Sequence, residues 1–104
     1  MNILLTGSTG FIGKQLFKKL EETAHSIAAI SRNQMPTGNN IKIIAGNINS
    51  NEKYQSEITQ FDPDAVIHLA WEGIPDFSFE MCQYNLFNSI NFFDLVFENT
   101  NCKK

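Results

Sequence analysis

The sequence is short of the residues that build metal centres, disulfide frameworks and nucleic-acid surfaces. Among its 104 residues are two cysteines, Cys82 and Cys102, and two histidines. Their spacing matches no metal-ligand pattern and is too sparse for a disulfide framework, so reduced thiols in a cytoplasmic protein are expected. Lys and Arg number 8 against 11 Asp and Glu, a net charge of −3, which excludes the basic face that phosphate-backbone binding needs. The basic pairs Lys18-Lys19 and Lys103-Lys104 read as solvated surface. No apolar run reaches the ~20 residues of a membrane-spanning helix. The start, Met1-Asn2-Ile3-Leu4-Leu5, has neither a basic leader nor a small-residue cleavage site, so no secretory signal is expected. Neither internal repeats nor a low-complexity segment occur. What remains, 42% hydrophobic and 18% charged residues, is ordinary globular composition, at the low end of the ~100–200 residues of one domain.

Along the chain, apolar runs of strand length alternate with helical periodicities. Ile3-Leu4-Leu5 ends in Thr6-Gly7-Ser8-Thr9-Gly10. Ile12, Leu16 and Leu20, four apart with Phe17 beside them, predict an amphipathic helix. Ser26–Ser31 and Ile41–Ala45 read as strands, separated by loop chemistry from Met35 to Asn40. Tyr54, Ile58 and Phe61 predict a helix from about Asn51 to Gln60, broken by Asp62-Pro63-Asp64. Ala65–Ala70 is a continuous apolar run, the pattern of a strand covered on both faces. A loop through Gly73 and Pro75 leads to a helix from about Glu80 to Glu98. On it Asn88, Asn91, Asp94 and Glu98 form a narrow polar stripe, so it is expected to pack on two sides. Strands alternating with helices imply an α/β fold with a doubly wound parallel sheet.

The segment Gly7-Ser8-Thr9-Gly10-Phe11-Ile12-Gly13 carries the chemistry. It lies where the first strand turns into the first helix, the context that gives a glycine triplet its meaning. Gly7 permits the tight turn, Gly10 lets backbone approach a pyrophosphate, and Gly13 lets the helix lie close to the strand. The N–H groups and positive dipole end of the helix would then face the phosphates.

This spacing, with Phe11-Ile12 before the last glycine, resembles the extended short-chain dehydrogenase/reductase family, which includes the NAD-dependent epimerase/dehydratases acting on sugar nucleotides. Asp64–Ala70 is similar to that family's fourth strand, with its His-x-Ala ending, and Asn85 matches a helical asparagine. The resemblance implies a Rossmann-type sheet of about four strands in order 3-2-1-4, with Leu69, Ala70 and Trp71 beside the cofactor together with the glycine loop. The family's aspartate after the third strand is replaced by Asn47, which keeps an acceptor for adenine; Ile48 packs against the base or in the core. A carboxylate usually grips the ribose 2′-hydroxyl after the second strand. Ser31-Arg32-Asn33 stands there instead, and a guanidinium suits a 2′-phosphate, so NADP(H) is expected over NAD(H).

The family's Tyr-x-x-x-Lys pair is missing: Tyr54 and Tyr84 are followed four residues later by Ile58 and Asn88. His68 reads as a packed or hydrogen-bonded strand residue, Trp71 as a lining or a capping residue, and Glu72 and Asp76 as solvated carboxylates. Residues 99–104 resemble the loop before the family's fifth strand. Residues 1–104 are therefore expected to be the N-terminal part of an NAD(P)-binding Rossmann domain, with the catalytic and sugar-nucleotide portion elsewhere and a partner chain on the last helix. The alternatives are a non-catalytic NAD(P)-binding module and a truncated, inactive product.

Overall fold

A computed structural model describes residues 1–33, 38–50 and 54–104. The described elements are β1 (Asn2–Thr6), α1 (Phe11–Glu21), β2 (Ser26–Ser31), β3 (Ile41–Ala45), α2 (Gln55–Phe61), β4 (Ala65–His68) and α3 (Phe79–Asn99). The strands form one four-stranded sheet in the order β3-β2-β1-β4, all parallel, with Thr6 level with Ile30 on one side and His68 on the other. This is the expected order. It puts the carboxyl ends of all the strands on one rim, where open α/β sheets bind ligands.

Period-two alternation divides the core between the two faces. Leu4, Ala28, Ile30 and Ile44 pack with Tyr54 and Ile58 and with Phe92, Leu95 and Val96 of α3. Ile3, Leu5, Ile27 and Ala29 pack under Phe17 and Leu20 of α1. Among the described residues the α1 face has a single helix, and Ile41, Ile43 and Ile67 are only half-buried.

Several boundaries differ from the sequence expectation. Ile12 is 66% exposed rather than part of the buried stripe of α1, which is Gly13, Phe17 and Leu20. The helix expected from Asn51 begins at Gln55; residues 51–53, like 35–37 of the expected loop, lie outside the described residues. The apolar run Ala65–Ala70 is strand only to His68, and all four strand residues are half-buried rather than covered on both faces. Its outer edge is met by the end of the chain, where Val66 N–H donates to the Lys104 carbonyl at 2.8 Å and Cys102 is buried. Asp62 fastens that tail: its carboxylate accepts from the Asn101 backbone and side-chain N–H groups. Those bonds hold the carboxyl below its ordinary pKa.

Candidate nucleotide site

At the carboxyl rim of the sheet lies a cavity of about 270 Å³, bounded by Thr6–Gly10, Ile30–Asn33, Gly46–Ile48 and Leu69–Glu72. Each segment is placed by the end of a different strand. The glycine loop is fixed most tightly. Gly7 has φ +74°, the left-handed region that favours glycine, and a β-carbon there would come within 2.6 Å of the Leu69 backbone. A β-carbon at Gly13 would lie 1.8 Å from the Gly7 carbonyl oxygen. Gly13 therefore seats α1 against the loop itself rather than against the strand.

Gly10 differs: a β-carbon there meets only the Gly7 carbonyl oxygen, at 3.4 Å. Gly10 also lines the cavity, so the backbone there lies open to a ligand. Gly10 is also the N-cap of α1, with no side-chain cap and no acid in the first turn. The N–H groups and positive pole of α1 are thus left to a ligand, the arrangement that accepts phosphate.

The β4 side is held by a polar relay inside the sheet. Thr6 Oγ1 accepts from Leu69 N–H at 3.2 Å and Ala70 N–H at 3.3 Å, which uses both lone pairs of the hydroxyl. Its own proton therefore goes to His68 Nδ1, 2.7 Å away. His68 Nε2 is then the protonated nitrogen and donates to Ser89 Oγ of α3 at 2.9 Å. The ring stacks on Phe92 and meets Phe93 edge-on, and burial lowers its pKa below 6.5, keeping it neutral. His68 thus packs and orients, as expected, and braces the backbone of residues 69–70 beside the cavity.

On the β3 side Tyr54 is fully buried and its hydroxyl donates to the Ile48 carbonyl at 2.8 Å; burial pushes that phenol up to about 12. The bond fixes the floor loop. Asn47 Oδ1 accepts from Asn49 N–H at 3.1 Å, so its amide N–H₂ is the group left for a base. Ile48 does double duty, 8% exposed in the core and at the cavity wall.

Of the residues expected at the site, Gly7, Thr9, Gly10, Arg32, Asn47, Ile48, Leu69, Ala70 and Trp71 line the cavity. Phe11 and Ile12 do not; they are 91% and 66% exposed on the first turn of α1. Gly13 lies behind the wall. Thr6 and Glu72 also line the cavity, beyond the residues expected there. Thr6 is signalled by a hydroxyl at the last position of the strand, directly after the apolar run Ile3-Leu4-Leu5. Glu72, expected as a solvated carboxylate, instead has a side chain 31% exposed with its Oε1 3.6 Å from Arg32 Nη1. Asp76 stays on the surface, its pKa lowered by bonds from Ser78.

Comparison with known proteins agrees with this architecture. Residues 3–97 match the NAD dependent epimerase/dehydratase family. An oxidoreductase of Lactococcus lactis, ylbE, is 27% identical with a TM-score of 0.71 over 100% of this chain and 46% of its own. WbmH of Bordetella bronchiseptica, solved with NAD+, is 22% identical over 94% of this chain and 36% of its own, TM-score 0.76. The UDP-N-acetylglucosamine 4-epimerase of Bacillus cereus is 23% identical, TM-score 0.72, over 95% and 33%. The chain therefore spans less than half the length of these structures. With a Rossmann-like sheet, an uncapped glycine-loop helix and a family match over nearly its whole length, the chain belongs to the NAD dependent epimerase/dehydratase family.

Proposed function

We propose that these residues form the adenosine-and-phosphate side of an NAD(P) site, in a protein that epimerises, dehydrates or reduces a sugar nucleotide. In that reading residues 1–104 are the N-terminal part of the nucleotide-binding domain. The observation that carries it is the sterically open Gly10 in the cavity lining, at the uncapped pole of α1. The phosphates would lie there, with the ribose toward Arg32 and the adenine between Ile48 and the Asn47 amide. The volume of about 270 Å³ is close to the lower end of the ~300–1,000 Å³ of small-molecule sites, which suits the adenosine end of a dinucleotide. Arg32, with no acid beside it after β2, favours a 2′-phosphate and hence NADP(H). When bound, the nicotinamide supplies hydride transfer at a sugar carbon. Trp71 and Ala70 would border it.

The proton-transfer pair of the reaction is assigned to residues outside these 104, because Tyr54 is sealed in the core and the Tyr84 hydroxyl accepts from Asn49 on the surface. Self-association through α3 belongs to the same reading, supported by the exposed Phe79, Leu86, Ile90 and Phe97. So does a cytoplasmic setting; among the described residues no helix is long and apolar enough to cross a membrane.

The test is isotope transfer from 4-deuterated NADPH to a keto-sugar nucleotide by a longer protein containing these residues. Label in the sugar is the expected result. Tight NADPH binding without transfer to any sugar nucleotide would replace the enzyme reading with that of a binding module.

A further inference from the structure

Arg32 and Glu72 come from opposite sides of the glycine loop, one from the end of β2 and the other from the loop after β4. They are the charged residues of the cavity lining, and their side chains meet at 3.6 Å. The carboxylate is not there by chance of a mobile loop. Buried Asn85 of α3 clamps the Glu72 backbone at two points, accepting from its N–H at 2.8 Å and donating to its carbonyl at 2.9 Å. Asn85 also donates to the Met81 carbonyl at 3.0 Å, tying the clamp to the helix. The Glu72 side chain is 31% exposed and that of Arg32 68%. The backbone that carries the acid is therefore fixed, and the guanidinium is the more exposed partner.

Resting on the nucleotide reading above, we propose that Glu72 is a selectivity-determining residue that competes with a ligand's 2′-phosphate for the Arg32 guanidinium. The second strand lacks an acid, but a carboxylate arrives at the same arginine from the fourth. At 3.6 Å the contact is an ion pair, so the carboxylate neutralises part of the charge that would draw a 2′-phosphate to the planar fork. The chain then discriminates less sharply for phosphate at the 2′ position than Arg32 alone would. Because the arginine is largely solvated, the effect of the pair is bounded by that of an exposed ion pair and weakens with salt.

The experiment compares adenosine 2′,5′-bisphosphate with adenosine 5′-phosphate, which differ only in the contested group. Dissociation constants are measured by calorimetry on the 104-residue chain, unaltered and as Glu72→Gln, Arg32→Ala and the double variant. Glu72→Gln is expected to shift the ratio of the two affinities roughly fivefold toward the bisphosphate, the ceiling for an exposed ion pair. In the Arg32→Ala background the shift is expected to vanish. A ratio unchanged by Glu72→Gln overturns the proposal, as does an equal gain for both ligands. A shift that survives removal of Arg32 also overturns it, because Glu72 would then act on the phosphate directly. Failure of every variant to bind either ligand would instead overturn the nucleotide reading, and the inference with it.

Discussion

A β-carbon at Gly13 has nowhere to go, with the Gly7 carbonyl oxygen 1.8 Å from its position. Gly13→Ala must push α1 off the loop, and a loss of about 3 kcal/mol is expected, the upper range for overpacking. Chemical denaturation would register it as a lower midpoint. His68 gives a prediction of a different kind. Burial lowers its folded pKa below 6.5, so at mildly acidic pH the unfolded chain binds more protons than the folded one. The stability due to neutral His68 is therefore full above about pH 6.5 and declines as pH falls toward the folded pKa. Protonation would also end the bond that Nδ1 accepts from Thr6. His68→Gln should flatten this part of the pH–stability curve while lowering stability at neutral pH; an unchanged slope would show that the histidine is not the titrating group. At this scale the sequence was most readable where chemistry is local. A glycine triplet after a strand needs no distant partner to be understood. The roles of Thr6 and Glu72 depend on residues 62 and 40 positions away, and no local pattern reports such a meeting.

The helices and strands follow from periodicity because each buries its apolar face against the sheet. Ser26–Ser31 and Ile41–Ala45 came out at the expected residues, and α3 differs by one residue at each end. The misses have physical causes. Ile12 has the right spacing for the α1 stripe, but α1 starts at the cavity rim, beyond the sheet it packs on. Leu69 and Ala70 extend the β4 run in composition, yet Leu69 N–H is shared between the Thr6 carbonyl and hydroxyl and Ala70 N–H goes to the hydroxyl, which ends the strand. The start of α3 is set by Ser78, whose hydroxyl accepts from Met81 N–H at 3.3 Å. Ser78→Ala should cost about 1 kcal/mol, read as a melting point ~4–8 °C lower for a domain of this size. An unchanged melting point would mean that the cap is not formed in solution.

For the whole molecule, the parallel sheet puts the carboxyl ends of its strands at one rim, and the cavity collects residues from β1 and β2 and from the loops after all four strands there. The strand order was legible through the resemblance to a Rossmann-type family, whose right-handed parallel crossovers it follows. The residues that face each other across the cavity were not. The same packing leaves Leu86, Ile90 and Phe97 exposed along α3, a stripe in keeping with self-association. Ile90→Glu with Phe97→Glu should move the protein to its monomer mass in sedimentation, provided the unaltered chain sediments as a larger species; a monomeric unaltered chain would remove α3 as an interface. The claim on which the rest depends is that the rim binds a dinucleotide. It is tested most directly by calorimetric titration of the folded chain with NADPH and with NADH, alongside Gly10→Leu, which puts a side chain on the open lining without entering the core. The account predicts saturable one-to-one binding, tighter for NADPH, and lost in Gly10→Leu with the circular dichroism spectrum retained. A well-folded chain that binds neither nucleotide, or one whose binding survives Gly10→Leu, would contradict it.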